Sequence, residues 1–236
     1  MDIINVLEFP LCQKTRVPIK TLAEQLGRAP KERKLLESHI SSINLISLLN
    51  EQTMKIRAYK DDSYSFQVIY VFDIALKAND KMTDLTELVH SAFPESTLLF
   101  LSYKDTLYIS GALKRINKND CTKSVIEDSV WAEVIDGINI DIPSVTTLKE
   151  YYENLIRLIY RIKVKNVTGL FPDADKDYKE LIKQYETLVS QINRLNENYL
   201  SASMRNEKMR IDNELYKKEL ELDNLKSTIN RGDCHE

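Results

Sequence analysis

The C-terminal part of the chain carries the pattern that most limits its fold. Between Pro172 and Gly232 the sequence contains neither glycine nor proline, so no residue type there breaks a helix. Apolar residues recur at alternating spacings of three and four, which are the a and d positions of a coiled-coil heptad. The first register holds Tyr178, Leu181, Tyr185, Leu188, Ile192, Leu195, Tyr199 and Ala202, and an offset second register holds Met204, Ile211, Leu215, Leu222, Leu225 and Ile229. Because a stutter produces such an offset, we expect one long coiled-coil helix over residues 178–231.

A helix of this length needs a partner. At about 1.5 Å per residue it would extend for about 75 Å, too far to bury its apolar stripe on one small domain. We therefore expect a homo-oligomer in which the two registers form the interface between copies. Two alternatives stay open, namely a helical hairpin that bends near Ser201, Ala202 and Ser203, and pairing with a helix of another protein.

A domain boundary is indicated at residues 167–173, where Gly169 and Pro172 interrupt the pattern. We divide the chain into an α+β domain over residues 1–168, a linker over residues 169–177 and a coiled-coil arm over residues 178–231. The expected fold is a small mixed sheet flanked by helices, followed by the long helix.

Hydrophobic periodicity predicts the elements of the α+β domain. Helices are expected at residues 19–26, 31–42, 83–92 and from Ser144 or Thr147 to about residue 164. Strands are expected at residues 53–59, 66–76, 97–103, 106–113 and 130–135, with 66–76 at the centre of the sheet. Thr83 is expected to cap its helix, and Thr147 and Glu150 are spaced as a capping box.

Composition excludes several classes of protein. The 33 Lys+Arg and 36 Asp+Glu give a net charge of -3, which argues against a sequence-independent DNA coat protein. The five glycines are scattered, so a glycine-rich phosphate loop is not expected. Three distant cysteines argue against a disulfide framework and for a reducing compartment. Without a signal peptide pattern or a long apolar run, we expect a cytoplasmic protein with no membrane contact.

A basic segment near the N-terminus is a candidate nucleic-acid-binding surface. Only Glu24 and Glu32 oppose its positive charge. The alternative is a lysine-rich helix face that is merely solvated. A helix-turn-helix is not favoured, because Pro30 stands where the recognition helix would begin. The candidate residues are Lys14, Arg16, Lys20, Arg28, Lys31, Arg33 and Lys34.

The order of predicted elements over residues 31–103 is compatible with a restriction-nuclease-like core. Such a site needs an acid, and then a second acid two residues before a lysine, to hold magnesium on one strand face. Asp73 and Lys77 share a face, but Ala75 replaces the second acid, and the pair is about 13 Å apart at roughly 3.3 Å per residue. Asp73 and Lys77 are therefore candidates only for a divergent nuclease. We expect no metal, no cofactor and no catalysis.

Several stretches resemble a known family. They are residues 16–20, the strand at 66–77, Ala92-Phe93-Pro94 leading into residues 98–101, Ser129-Val130-Trp131, and Tyr151-Tyr152-Glu153-Asn154-Leu155. In their order they resemble the bacterial and archaeal family named domain of unknown function 4391, over most of residues 15–165. Typical members favour an acid near the start of the central strand and sometimes one just before its lysine. Ser65 and Ala75 stand at these positions here.

The resemblance implies a place in a larger system without implying a reaction. Genes of this family resemble companions of helicases and methyltransferases in prokaryotic defence clusters. By that analogy the chain is a non-catalytic adaptor of an anti-phage or restriction-like system, with a helicase/ATPase or methyltransferase partner and with DNA or RNA as further candidate ligands. A divergent metal-dependent nuclease and a stand-alone nucleic-acid-binding protein are the alternatives.

Overall fold

The computed structural model describes residues 7–20, 22 and 30–231. The chain divides into two compact units, the first ending at Ile162 and the second beginning at Lys163. The first contains a mixed sheet with helices on both faces, and the second contains two long helices, so the predicted α+β class is confirmed. No helix among these residues is long and apolar enough to cross a membrane.

The described part of the chain contains eight strands. They are β1 (Leu11–Val17), β2 (Ile40–Asn50), β3 (Tyr59–Lys60), β4 (Ser65–Phe66), β5 (Val68–Leu76), β6 (Ser96–Tyr103), β7 (Thr106–Asn117) and β8 (Asp120–Glu133). Six of them form the main sheet in the order β1-β2-β5-β6-β7-β8, while β3 and β4 form a small ribbon. The β5–β6 pair is parallel and the other pairs are antiparallel. The predicted central strand is confirmed as β5.

Six helices complete the described residues. They are α1 (Pro30–His39), α2 (Glu51–Met54), α3 (Met82–Ser91), α4 (Leu148–Thr168), α5 (Lys179–Ser201) and α6 (Arg205–Arg231). The predicted capping box starts α4, since the Glu150 N–H donates to Thr147 Oγ1 and the Thr147 N–H donates to the Glu150 carboxylate, both at 3.2 Å. The predicted apolar stripe of this helix is buried at Leu148, Tyr151, Leu155, Leu158, Ile159 and Ile162.

The two faces of the sheet pack against different helices. One face shares a core with α1 and α3 through Phe72, Ile74, Leu76, Leu36, Leu85 and Val89. The other face meets α4 at Gly111 of β7, where an added Cβ would lie 2.5 Å from Ile156 Cδ1. The close approach of helix and strand at this point therefore requires glycine.

The prediction was wrong around residues 40–59. The predicted helix over residues 31–42 ends at His39, and residues 40–50 form β2. Pairing irregularities between Ile40 and Ser42 and between Leu45 and Ser47 disturb the alternation that would have revealed a strand. Of the strand predicted at residues 53–59, only Tyr59 lies in a strand, and residues 53–54 belong to α2. The Asn50 side chain starts this helix by accepting hydrogen bonds from the Gln52 and Thr53 N–H groups.

Other boundaries also differ from prediction. Thr83 is not the cap of α3, which begins at Met82. Instead, Thr83 Oγ1 accepts a hydrogen bond from Trp131 Nε1 at 3.0 Å. The β6–β7 hairpin is confirmed, with Lys104 at a φ of 54° in the tight turn. β8 begins ten residues before its predicted start at residue 130. The helix predicted over residues 19–26 falls mostly outside the described residues.

The second unit is a helical hairpin, so one uninterrupted helix over residues 178–231 is wrong. α5 ends at Ser201, and Ala202 has extended backbone angles, with φ −67° and ψ 131°. The bend lies where the hairpin alternative predicts it, near residues 201–203. The two offset registers arise because each belongs to its own helix, and their residues are buried or half-buried, apart from Met204 at the bend. The predicted linker lies between the end of α4 at Thr168 and the start of α5 at Lys179.

Candidate functional site

Asp73 and Lys77 lie on β5 but have separate partners. Asp73 Oδ2 accepts a hydrogen bond from Lys14 Nζ of β1 at 2.7 Å. Lys77 Nζ donates to the main-chain oxygen of Glu37 at the end of α1, also at 2.7 Å. Among residues 7–20, 22 and 30–231, no three His, Cys, Asp or Glu side chains are grouped so that they could hold a metal ion. Each of the two side chains thus has a partner of its own, and a role for the pair in a divergent nuclease stays a prediction.

The predicted basic residues are divided between the two faces of the sheet. Arg16 of β1 pairs with Asn44 of β2, which in turn pairs with Asp73 of β5. Paired residues point to the same face of a sheet, so Arg16 lies with Asp73 and Lys14 on the face that packs against α4. Lys31, Arg33 and Lys34 lie on α1, at the opposite face, and Arg33 forms an ion pair with Glu37 at 3.0 Å. Lys20 is exposed, and Arg28 lies outside the described residues. A role for these residues in binding nucleic acid stays a prediction.

A cleft of about 840 Å³ lies between α1, α3 and β8. Its apolar lining comes from Leu35, Leu88, Val125 and Ile126. The α1 side contributes Lys31 and Lys34 together with Glu32, and the α3 side contributes Asp84 and Glu87 together with the preceding Lys81. The cleft therefore offers a hydrophobic surface between charges of both signs, with the basic charges mainly on one side and the acidic charges mainly on the other.

One wall of this cleft belongs to an edge strand. β8 is the last strand of the sheet among the described residues, and Ser124, Val125 and Ile126 line the cleft. Main-chain groups at a sheet edge can pair with an added extended segment, while neighbouring side-chain pockets select its sequence. The cleft thus has the chemical character of a protein-docking site.

A second polar feature lies inside the domain, at the C-terminal end of α3. The side chain of Lys114 on β7 is 5% exposed, and its Nζ donates to three main-chain oxygens, those of His90 at 2.7 Å, Phe93 at 2.9 Å and Glu95 at 2.6 Å. A cation at this position complements the carbonyl groups that end a helix. Burial lowers the pKa of Lys114 to about 7.

His90 connects this lysine to the strands. Lys114 Nζ also approaches Thr97 Oγ1 at 3.4 Å, and Thr97 Oγ1 is 2.6 Å from His90 Nδ1. His90 Nε2 is 3.0 Å from Ser110 Oγ, which donates to the Val130 main-chain oxygen at 2.9 Å. These contacts are consistent when His90 is neutral with its proton on Nε2. Burial first, and then the charge of Lys114, hold the pKa of His90 well below its usual range.

Tyr152 of α4 bridges β6 and β7 from the opposite face. Direct pairing of these strands ends at Leu98 and Gly111. Beyond that point the Tyr152 hydroxyl accepts from the Ala112 N–H at 3.0 Å and donates to the Thr97 oxygen at 2.7 Å, with the Ala112 oxygen at 3.1 Å. The hydroxyl thus provides hydrogen bonds to buried main-chain groups of β6 and β7 at the point where the two strands no longer pair with each other.

We expect Tyr152→Phe to lower the free energy of unfolding by about 1–3 kcal/mol, because buried main-chain groups lose their partner while the ring stays in place. Urea denaturation followed by circular dichroism measures the change. Tyr151→Phe is the control, since Tyr151 is also buried on α4 but its hydroxyl has no hydrogen-bond partner among the described residues. Equal losses in the two variants would contradict the bridging role of Tyr152.

The buried cluster has a sequence signal that the prediction missed. The strand predicted at residues 106–113 stops one residue before Lys114. Ser110, Ala112 and Lys114 alternate along β7, so extending the strand by one residue places the lysine on a buried face. The partners on α3 and β6 could not be inferred from this alternation.

The model of one protein family, described as domain of unknown function (DUF4391), matches residues 11–222. The chain belongs to this family. The DUF4391 match extends beyond the resemblance at residues 15–165 and includes all of α5 and residues 205–222 of α6. The family match therefore includes the helical hairpin except for residues 223–231 of α6. No curated protein matches the chain, and no solved structure matches it.

Proposed function

We propose that this DUF4391 protein is a non-catalytic adaptor of a prokaryotic anti-phage defence or restriction-like system, acting in the cytoplasm. Its partner is a helicase/ATPase or a methyltransferase, and the cleft between α1, α3 and β8 receives a segment of that partner. The observation that carries the proposal is the combination of apolar lining, opposed charges and an edge strand in one cleft.

The charges of the cleft favour a protein ligand over nucleic acid. A phosphate backbone presents one sign of charge, so Asp84 and Glu87 would repel it where Lys31 and Lys34 attract it. A protein segment can present acidic side chains to α1 and basic side chains to α3. Such complementarity sets the orientation of a bound segment and excludes wrong partners.

The candidate catalytic groups are engaged in ways that support an adaptor. Asp73 is paired with Lys14, and Lys77 contacts a main-chain oxygen. The buried Lys114 is engaged as well, because its Nζ donates to three main-chain oxygens. These contacts support structural roles for all three residues.

The test is affinity purification of the tagged full-length protein from its native host, with mass spectrometry of what copurifies. A double charge reversal, Lys34→Glu with Asp84→Lys, is placed in the cleft, where both residues are exposed. We expect the wild type to recover a helicase/ATPase or methyltransferase, and the cleft variant to recover about tenfold less of it or lower, as one or two lost charge pairs would cause. Lys60→Glu with Asp62→Lys, exposed on and beside β3, is the matched control and keeps the partner.

Three outcomes would overturn the proposal. If the cleft variant recovered as much of the same enzyme as the wild type, the interface would lie outside the cleft. Metal-dependent DNA cleavage by the purified protein, lost in both Asp73→Ala and Lys77→Ala, would replace the adaptor with a nuclease. DNA or RNA binding that falls steeply with salt and is lost on reversing Lys31 and Lys34 would replace it with a nucleic-acid-binding protein.

A further inference from the structure

The outer face of α6 carries large apolar side chains that the hairpin does not cover. Met209, Tyr216 and Leu220 are 58%, 70% and 54% exposed. They lie on the side of α6 that is opposite Ile211, Leu215 and Leu222, which belong to the less exposed side of the helix. The exposed positions of α5 before Leu200 are polar by contrast, for example Gln184, Gln191 and Arg194. The large exposed apolar side chains of the two helices thus lie on α6, apart from Leu200 at the end of α5, which is 80% exposed.

These side chains have the spacing of a second coiled-coil seam. With Asn213 they form the series 209, 213, 216 and 220, separated by four, three and four residues, so Met209 and Tyr216 occupy d positions and Asn213 and Leu220 occupy a positions. A single asparagine at an a position specifies the register of two-stranded coiled coils, at some loss of stability. This seam is distinct from the one that joins α5 and α6.

The flanking charges distinguish between the two directions in which two α6 helices could pair. In a parallel pair, Asp212 at a g position faces Lys217 at the following e position of the other copy, and the same contact occurs twice. The parallel pair has one kind of like-charge contact, between Arg205 and Arg210 at the start of α6. In an antiparallel pair, Asp212 would face Glu219 and Arg210 would face Lys217. Asp212 and Lys217 make no ion pair within the described part of their own chain, so both are available.

We propose that two copies of this chain associate through the outer faces of their α6 helices as a parallel coiled coil, with Met209, Asn213, Tyr216 and Leu220 at the seam. The residues expected from the sequence to join copies pack within the hairpin instead, which leaves this face for the second copy. Because the seam is shorter than two heptads, the dimer is weak and its population depends on protein concentration.

Charge exchange in the full-length chain tests the proposal by sedimentation equilibrium over a range of concentrations up to about 0.5 mM. Asp212→Lys alone and Lys217→Asp alone each place like charges across the parallel seam, so each weakens the dimer by about tenfold. The double variant restores wild-type affinity, and an equimolar mixture of the two single variants forms a heterodimer. Residues five positions apart do not face each other on one helix, so this rescue can arise only between copies.

Tyr216→Glu removes the dimer, whereas Gln191→Glu, an equivalent added charge on the outer face of α5, leaves it intact. Circular dichroism of each variant checks that the hairpin is folded, which we expect because all substituted side chains are exposed. A monomeric wild type throughout the concentration range would overturn the proposal. Tighter association of Asp212→Lys would overturn the parallel arrangement, and failure of the double variant to recover would overturn the charge pairing. None of these outcomes bears on the cleft, which belongs to the first unit.

Discussion

Replacing Lys114 by methionine is expected to lower the free energy of unfolding by about 3 kcal/mol, because it leaves one buried and two partly buried main-chain oxygens without a donor. Methionine fills similar space, so the loss reports the missing hydrogen bonds more than a cavity. The oxygens of His90, Phe93 and Glu95 all accept from Lys114 Nζ. Without it, the chain between α3 and β6 loses its attachment to β7. Chemical denaturation followed by circular dichroism measures the change.

The control for this experiment is Lys123→Met on the neighbouring strand β8. The Lys123 side chain is 72% exposed and forms a surface ion pair with Asp120, so its replacement changes stability by less than about 0.5 kcal/mol. A buried charge can be replaced by a hydrophobic residue without loss when its partners are removed or solvated at the same time. Wild-type stability of Lys114→Met would therefore contradict the structural role given to the lysine.

The stability of the wild type is expected to fall between pH 6 and pH 5 with a slope approaching about 1.4 kcal/mol per pH unit, because of His90. Burial holds the pKa of His90 in the folded state well below the ordinary value of 6.5. In this range the unfolded chain takes up a proton that the folded chain does not, so acid favours unfolding. The stabilisation is fully present above pH 6.5 and is lost progressively as the pH falls below that value.

The slope can be assigned to His90 by substitution. His90→Gln removes the titrating group, so its stability should vary less between pH 6 and pH 5, whatever its absolute value. Tyr152→Phe is the control, because it also removes buried hydrogen bonds but a tyrosine does not titrate between pH 5 and pH 6, so it should keep the wild-type slope. Lys114 does not add to the slope in this window, because burial lowers its pKa only to about 7 and it carries its proton in both states below pH 6. An unchanged slope in His90→Gln would contradict a neutral, buried histidine.

Local patterns were sufficient to predict the elements whose signals are regular. β5 was identified because its apolar and β-branched residues continue on both faces, as expected for a central strand. α4 was identified because two signals predict the same helix, namely the capping box of Thr147 and Glu150 and the apolar stripe that follows it. β2 was missed because the irregularities in its pairing with β5 interrupt the alternation of apolar and polar residues that indicates a strand. A regular element can be inferred from its own residues, whereas an irregular one needs its neighbours.

The candidate site could not be predicted in the same way. Lys31, Asp84 and Ile126 line one cleft although they come from α1, α3 and β8, and no local spacing relates them. The predicted basic cluster is contiguous in sequence, but β1 and α1 carry its members to opposite faces of the sheet. Proximity in sequence therefore does not place these residues on one surface, and their role in binding nucleic acid stays a prediction.

The amino-acid sequence by itself determined the class of the fold and the presence of two helical registers in the C-terminal part, since both follow from the period of apolar residues. Only the tertiary structure decided that the two registers face each other across a bend at residues 202–204, a position without glycine or proline. A continuous helix and a hairpin bury the same apolar residues, so periodicity cannot distinguish them. The choice depends on which helix each register packs against, and therefore on which face of α6 remains exposed.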